Sequence, residues 1–220
     1  MNPVSEPVSA RSSEIDLVTV NAELRGRTPE QIVHWALQLR RRTIVTTSMG
    51  INAAATLYAV TSVDASVPVV WVDSGFNLRD TYVVAEQLEK QLDLNLHVYT
   101  PRMTAERISA GLGGIPLPED AEKYAWFTRA VKLEPFQRAL AEFNPEVWIT
   151  GIRREETDHR RALDIVSLDP RGILKVAPFF EFSEADLEAY MVRLGLPSCR
   201  HYFDPTKANQ HTECGLHTAV

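Results

Sequence analysis

Cysteine is scarce: Cys199 and Cys214 are the only two thiols in 220 residues. That is too few for a disulfide framework, and no second Cys or His pair completes a four-ligand metal or iron–sulfur site. Long apolar runs are absent too, none approaching the roughly 20 residues of a membrane span. The first 13 residues are polar and carry no apolar signal core, so they read as a disordered lead-in to a cytoplasmic protein. Positive charge is in deficit: the net charge of −6 argues against a general polyanion binder such as a nucleic-acid protein, and any basic site must be local. A Walker lysine, the spaced glycines of a dinucleotide fingerprint, internal repeats and low-complexity tracts are likewise missing. What remains, with 45% hydrophobic and 24% charged residues, is one ordinary domain with an α/β core over residues 28–196 and a tail over 197–220.

The pattern along the core alternates strands with helices. Residues 14–26 predict a short helix. Thr28-Pro29-Glu30-Gln31 is a capping box with proline at the first helical position, opening a helix that runs to Arg40, where arginines 40–42 offset its negative end. Residues 43–47 are a β-branched strand that enters a tight loop at Ser48-Met49-Gly50 and then a helix over 51–60. A second strand over 67–72 ends in Asp73-Ser74-Gly75, followed by a helix over 78–92 and a third strand over 94–99. Glycine and proline punctuate 101–121, which predicts a helix followed by a mobile loop. A helix over 133–143 precedes a fourth strand over 147–150. Residues 165–168 and 173–176 pair around the turn residues 169–172, and Ser183 with Asp186 caps a last helix over 184–194. Such alternation implies a Rossmann-like, doubly wound, mostly parallel sheet with helices on both faces.

Three stretches carry chemistry. The loop 46–53 follows a strand and opens a helix, so its N–H groups, the Ser48 hydroxyl and the close backbone approach allowed by Gly50 suit a phosphate or sulfate; any α/β protein has such turns. After Gly151, four arginines (Arg153, Arg154, Arg160 and Arg161) fall within nine residues. Guanidinium forks grip phosphate or sulfonate oxygens, although Glu155, Glu156 and Asp158 also fit a solvated, self-neutralised loop. The third is Glu213-Cys214-Gly215-Leu216-His217 near the chain's end, where a purely packing cysteine has little core to join. Cys214 is a candidate nucleophile if the rest of the chain builds an anion pocket whose cations lower its pKa. His217 either polarises that thiol or is a solvated terminal histidine.

Together these stretches resemble the 3′-phosphoadenylylsulfate (PAPS) reductases of the adenine-nucleotide α-hydrolase-like, or PP-loop, superfamily. Thr46-Thr47-Ser48-Met49-Gly50-Ile51 stands where that family has a modified pyrophosphate loop, and Asp73-Ser74-Gly75 where it has an Asp-Thr/Ser-Gly turn. Lys132-Leu133-Glu134-Pro135 is similar to its Lys-Val-Glu-Pro stretch, and Thr150-Gly151-Ile152-Arg153-Arg154-Glu155 with Arg160 to its arginine segment. Glu213-Cys214-Gly215-Leu216-His217 reproduces the signature of its catalytic tail. The resemblance implies reduction of PAPS to sulfite and adenosine 3′,5′-bisphosphate through a Cys214 S-sulfonate, within assimilatory sulfate reduction. Thioredoxin or glutaredoxin would act as reductant, without an iron–sulfur cluster, in a homodimer. It assigns Ser48, Gly50, Asp73, Gly75, Lys132, Arg153, Arg154, Arg160 and His217 to substrate binding, with Asp73 and Gly75 bordering the adenosine unless Asp73 serves its own turn. Residues 197–212 depart from the pattern: the link is shorter, lacks a Tyr-x-Ser-Ile-Gly-Asp-like element, and has Thr212 where a basic residue commonly precedes Glu213. Cys199 is a resolving thiol or a structural one.

Other readings stay open at this point: a cluster-free adenylylsulfate reductase-like enzyme, or a non-catalytic nucleotide-binding redox module. An ATP pyrophosphatase is disfavoured because Ser48-Met49-Gly50-Ile51-Asn52-Ala53 lacks the second glycine, the aspartate and the final serine of a Ser-Gly-Gly-x-Asp-Ser loop.

Overall fold

The computed structural model describes residues 15–207. The expected lead-in, Cys214 and His217 lie outside the described residues. Helix α1 (Leu17–Leu24) is capped by Asp16, whose carboxylate accepts from the backbone of Val18 and Thr19. Thr28 and Gln31 form the expected capping box at the start of α2 (Pro29–Gln38). Two β/α steps follow, β1 (Thr43–Thr47) into α3 (Ala53–Thr61) and β2 (Val69–Val72) into α4 (Arg79–Leu92), then β3 (Leu96–Tyr99) and α5 (Ala105–Leu112). Next come α6 (Ala121–Thr128), a π-helical turn (Arg129–Leu133) and α7 (Glu134–Phe143), running on from one another before β4 (Val147–Ile149). A one-turn α8 (Asp158–Arg161), the strands β5 (Val166–Leu168) and β6 (Leu174–Val176), and α9 (Glu184–Arg193) complete the order.

The sheet runs β3-β2-β1-β4-β6-β5, parallel throughout except that β5 pairs antiparallel with β6 across the predicted turn. Its central strands are apolar on both sides, as a sheet covered by helices requires. Val45, Val69, Trp71, Val147 and Ile149 face a core shared with α2, α3, α4 and α9, while Ile44, Val70 and Trp148 face a smaller one with Phe136 and Ala139 of α7. At the β5 edge, the buried Asn21 side chain on α1 donates to Val166 O (2.9 Å) and accepts from Val166 N (2.8 Å), so an amide side chain pairs the strand as a neighbouring strand would.

Two expectations are corrected. Helix α2 ends at Gln38, two residues short of Arg40, and its last turn holds no cation. Arg40 instead turns the chain at φ 52°, and Arg42 binds Asn144 O (2.6 Å) and Glu146 (3.4 Å), tying the start of β1 to the link before β4. The helix expected over 133–143 is the last part of a longer helical run that begins at Ala121.

A crevice at the switch in strand order

After β1 the chain winds outward through β2 and β3, then returns to place β4 on the other side of β1. The order therefore reverses between β1 and β4. In open α/β sheets that reversal leaves a crevice beyond the strands' carboxyl ends. The loops leaving β1 and β4 carry Ser48 to Asn52 and Gly151 to Thr157 and flank it. The β4 loop lies close against the helix that the β1 loop opens, since a Cβ at Gly151 would lie 2.9 Å from Thr56 Oγ1 on α3, inside van der Waals contact.

In the first loop Met49 is fully buried at φ 51°, and its N–H donates to Thr47 Oγ1 (3.0 Å). A left-handed, unbranched residue is held there by its burial. Ser48 is exposed. Gly50 allows a close approach by the chain itself: its missing Cβ would stand 3.3 Å from the Tyr202 ring and 3.1 Å from Ser48 Oγ.

Asp73 organises its own turn. Its Oδ1 accepts from Gly75 N (2.9 Å), Asn77 Nδ2 (2.8 Å) and Tyr82 OH (3.0 Å). Burial, followed by the charge of Asp73 and this hydrogen bond, pushes the Tyr82 hydroxyl up to about 12.

The arginines part company. Arg153 is 5% exposed; Nη1 binds Glu155 (2.6 Å), Nη2 pairs with Glu184 in the first turn of α9, and Glu184 also accepts from Asn52 Nδ2 (3.2 Å). This chain of contacts joins the β4 loop to the β1 loop. Arg160 on α8, 6% exposed, pairs with Glu156, which also accepts from the backbone N–H of Arg153 (2.8 Å) and lies 4.0 Å from the Arg153 guanidinium, so one carboxylate stands between the two cations. Arg154 belongs elsewhere: it lies 5.1 Å over the Phe180 ring and joins Glu181 and Asp164, a surface network that also includes Arg25. Arg161 is exposed and pairs with Asp158 (2.7 Å).

Lys132 stands on the π-helical turn. Its ammonium pairs with Asp204 and donates to Thr206 Oγ1 (3.2 Å) in the segment after α9. Sequence reasoning missed Glu156, Glu184, Tyr202 and Asp204. The available signal was Asp204-Pro205-Thr206, a spacing that favours an aspartate accepting from the backbone two residues on; Asp204 Oδ1 does so, from Thr206 N at 3.0 Å.

Burial by itself would raise the Asp204 carboxyl, but the Lys132 charge and the hydrogen bonds from Lys132 and Thr206 outweigh it and hold the group below its ordinary 3.8. A lowered folded-state pKa gives stability that is complete above the ordinary value and drains away as the pH falls through the lower one. Asp204→Asn is accordingly expected to unfold more easily than the parent by about 3 kcal/mol near neutral pH. That gap should narrow once the pH drops below 3.8, as urea melts at a series of pH values will check.

Fold and site together define a doubly wound α/β protein with paired, buried arginines on the segment after β4, beside the switch in strand order. Residues 42–205 match the phosphoadenosine phosphosulfate reductase domain family, and the chain belongs to that family. It is 36% identical over 186 residues to a phosphoadenosine 5′-phosphosulfate reductase of Synechocystis sp., covering 84% of this chain and 74% of the relative. A Vibrio vulnificus enzyme of the same name is 36% identical over 201 residues, covering 88% and 75%. Among solved structures, a phosphate complex of PAPS reductase from Candida auris superposes with a TM-score of 0.72 at 22% identity, covering 82% of this chain and 86% of that one. The ATP complex of Candida glabrata FMN adenylyltransferase shares the fold more distantly, with a TM-score of 0.56 at 14% identity over 88% and 61% of the two chains. No helix among the described residues is long and apolar enough to cross a membrane.

Proposed function

We propose that the chain reduces PAPS to sulfite and adenosine 3′,5′-bisphosphate in assimilatory sulfate reduction. One observation carries the reading: buried Arg153 and Arg160, with Glu156 between them, lie on the loop and short helix that follow β4, at the switch in strand order of a chain 36% identical to a phosphoadenosine 5′-phosphosulfate reductase. The Cys214 thiolate attacks the sulfuryl sulfur. An S–S bond forms, the S–O bond to the nucleotide phosphate breaks with its electron pair leaving on that oxygen, and Cys214 becomes an S-sulfonate. A dithiol reductant, thioredoxin or glutaredoxin, then attacks the Cys214 sulfur and expels sulfite. Its second thiolate closes the reductant's disulfide and releases Cys214, so two electrons pass from the dithiol to the sulfuryl group.

Arg153 and Arg160 hold the bound anion and offset the charge that builds on the leaving phosphate. Glu155 and Glu184, with side chains 49% and 59% exposed, can turn to solvent when the substrate's oxygens take their place on Arg153. Ser48 and the backbone at Gly50 face the phosphates, Asp73 and Gly75 border the adenosine, Lys132 adds positive charge, and His217, three residues after Cys214 in the sequence, polarises the tail thiol. Arg154 is the weakest of the assigned contacts, because its network lies away from the loop after β1. The reading includes a cytoplasmic homodimer, no iron–sulfur cluster and dependence on the 3′-phosphate. Sulfite release measured side by side with PAPS and adenylylsulfate, each with reduced thioredoxin, tests it. PAPS is expected to be turned over and adenylylsulfate not; equal turnover of both removes the 3′-phosphate requirement, and turnover of neither removes the reaction.

A further inference from the structure

The segment after α9 is laid across the carboxyl edge of the sheet. Ser198 Oγ donates to Ile51 O (3.0 Å) in the loop after β1, and the fully buried Cys199 Sγ sits 3.5 Å from Thr81 Oγ1 on α4. Tyr202 then closes on Gly50, and Asp204 meets Lys132. The carboxylates facing the crevice cations differ in kind. Those on Arg153 and Arg160 are 31% to 59% exposed, whereas Asp204 is 7% exposed and bonded from several sides, by Lys132, Thr206 N (3.0 Å) and Thr206 Oγ1 (2.7 Å). An exposed carboxylate is an exchangeable partner for a cation. A buried one held on all sides is a fixed point.

Cys214 follows Asp204 by ten residues, so a fixed Asp204 limits the thiol to a radius of at most about 35 Å centred on Asp204. Should Asp204 come loose, the next fixed point is Cys199, 15 residues upstream of Cys214, and the radius open to the thiol grows to about 50 Å. Resting on the reading of Cys214 as the nucleophile, we propose that Asp204, gripped by Lys132 and Thr206, is the anchor that fixes the base of the C-terminal tail at the crevice. Asp204 and Thr206 are thereby positioning residues for the thiol. The carboxylate orients the tail; it does not touch the sulfuryl group.

The test follows the anchor and the chemistry separately in the full chain. Hydrogen exchange reports the anchor at the amides of Thr206 and Lys207, which bond to the Asp204 side chain and backbone. Intact mass after single mixing with PAPS reports S-sulfonation, and calorimetry with adenosine 3′,5′-bisphosphate reports binding. In Asp204→Ala and Thr206→Val those amides are expected to exchange faster and S-sulfonation at saturating PAPS to slow by about 30-fold, with nucleotide affinity within about threefold of the parent. Thr206→Ser, which keeps the hydroxyl, is expected to recover the parent rate. Unchanged sulfonation in Thr206→Val with loosened amides overturns the proposal, as does an Asp204→Ala chain that binds nucleotide more tightly and reacts at the parent rate. Equal losses of binding and rate in every variant also overturn it, because they report a structural role only. If the parent forms no S-sulfonate while its amides are protected and the variants release them, the proposed reaction fails and the anchor stands.

Discussion

Cys214→Ser is expected to abolish sulfite release, by about 10⁴-fold or more, while adenosine 3′,5′-bisphosphate binds as before. The size of the loss follows from the chemistry. A serine hydroxyl is far less ionised than a thiol at neutral pH and makes a poor nucleophile toward a sulfuryl sulfur, and Cys199 is the only other thiol in the sequence. Cys199 is no substitute: it is fully buried, beside Thr81, with its Sγ 3.7 Å from His201 O. That burial favours the structural reading of Cys199 over a resolving thiol. Mixing the serine variant with PAPS should give no gain of a sulfonate mass, whereas the parent gains one on residue 214. Full turnover by the variant removes the covalent mechanism, and a sulfonate found on Cys199 moves the chemistry to the wrong thiol.

Arg153→Ala is expected to weaken binding of the nucleotide anion by about 100-fold, the worth of two charge-assisted hydrogen bonds. The cost to folding should be smaller than its 5% exposure suggests. Its partners Glu155 and Glu184 are about half exposed and can find water once the guanidinium is gone, so they are not left as buried unpaired charges. Arg153→Lys, which keeps the charge without the fork, should recover only part of the affinity. Calorimetric titrations at several salt concentrations separate these outcomes. An affinity in Arg153→Ala that matches the parent at every ionic strength removes the residue from the anion clamp.

Much of the fold was legible because local chemistry agreed with the final structure. The β-branched run at 43–47 became β1, the capping boxes at Thr28 and Ser183 opened α2 and α9, and the turn residues 169–172 joined β5 to β6. The site was less legible, because contact distances are tertiary facts. Arg153 and Arg154 are adjacent in sequence, but on a non-helical segment their side chains diverge, one inward to Glu184 and the other out over Phe180. The placing of Glu156 between two arginines depends on the single turn of α8, too short to leave a periodic pattern. The π-helical turn that carries Lys132 looks like ordinary helix in sequence. The partnership of Lys132 with Asp204 spans 72 residues and has no local signature beyond the aspartate's own turn.

The amide of Asn21 has a consequence for how the sheet can be extended. Because it occupies both peptide groups of Val166, the rim formed by β5 is already sealed where that strand begins. The opposite rim, β3, shows solvent its Val98 side chain, 47% exposed, and has no strand beyond it among the described residues. A second polypeptide adding a strand to this sheet would find Val166 already paired at the β5 rim, and at β3 a rim with no neighbouring strand among the described residues.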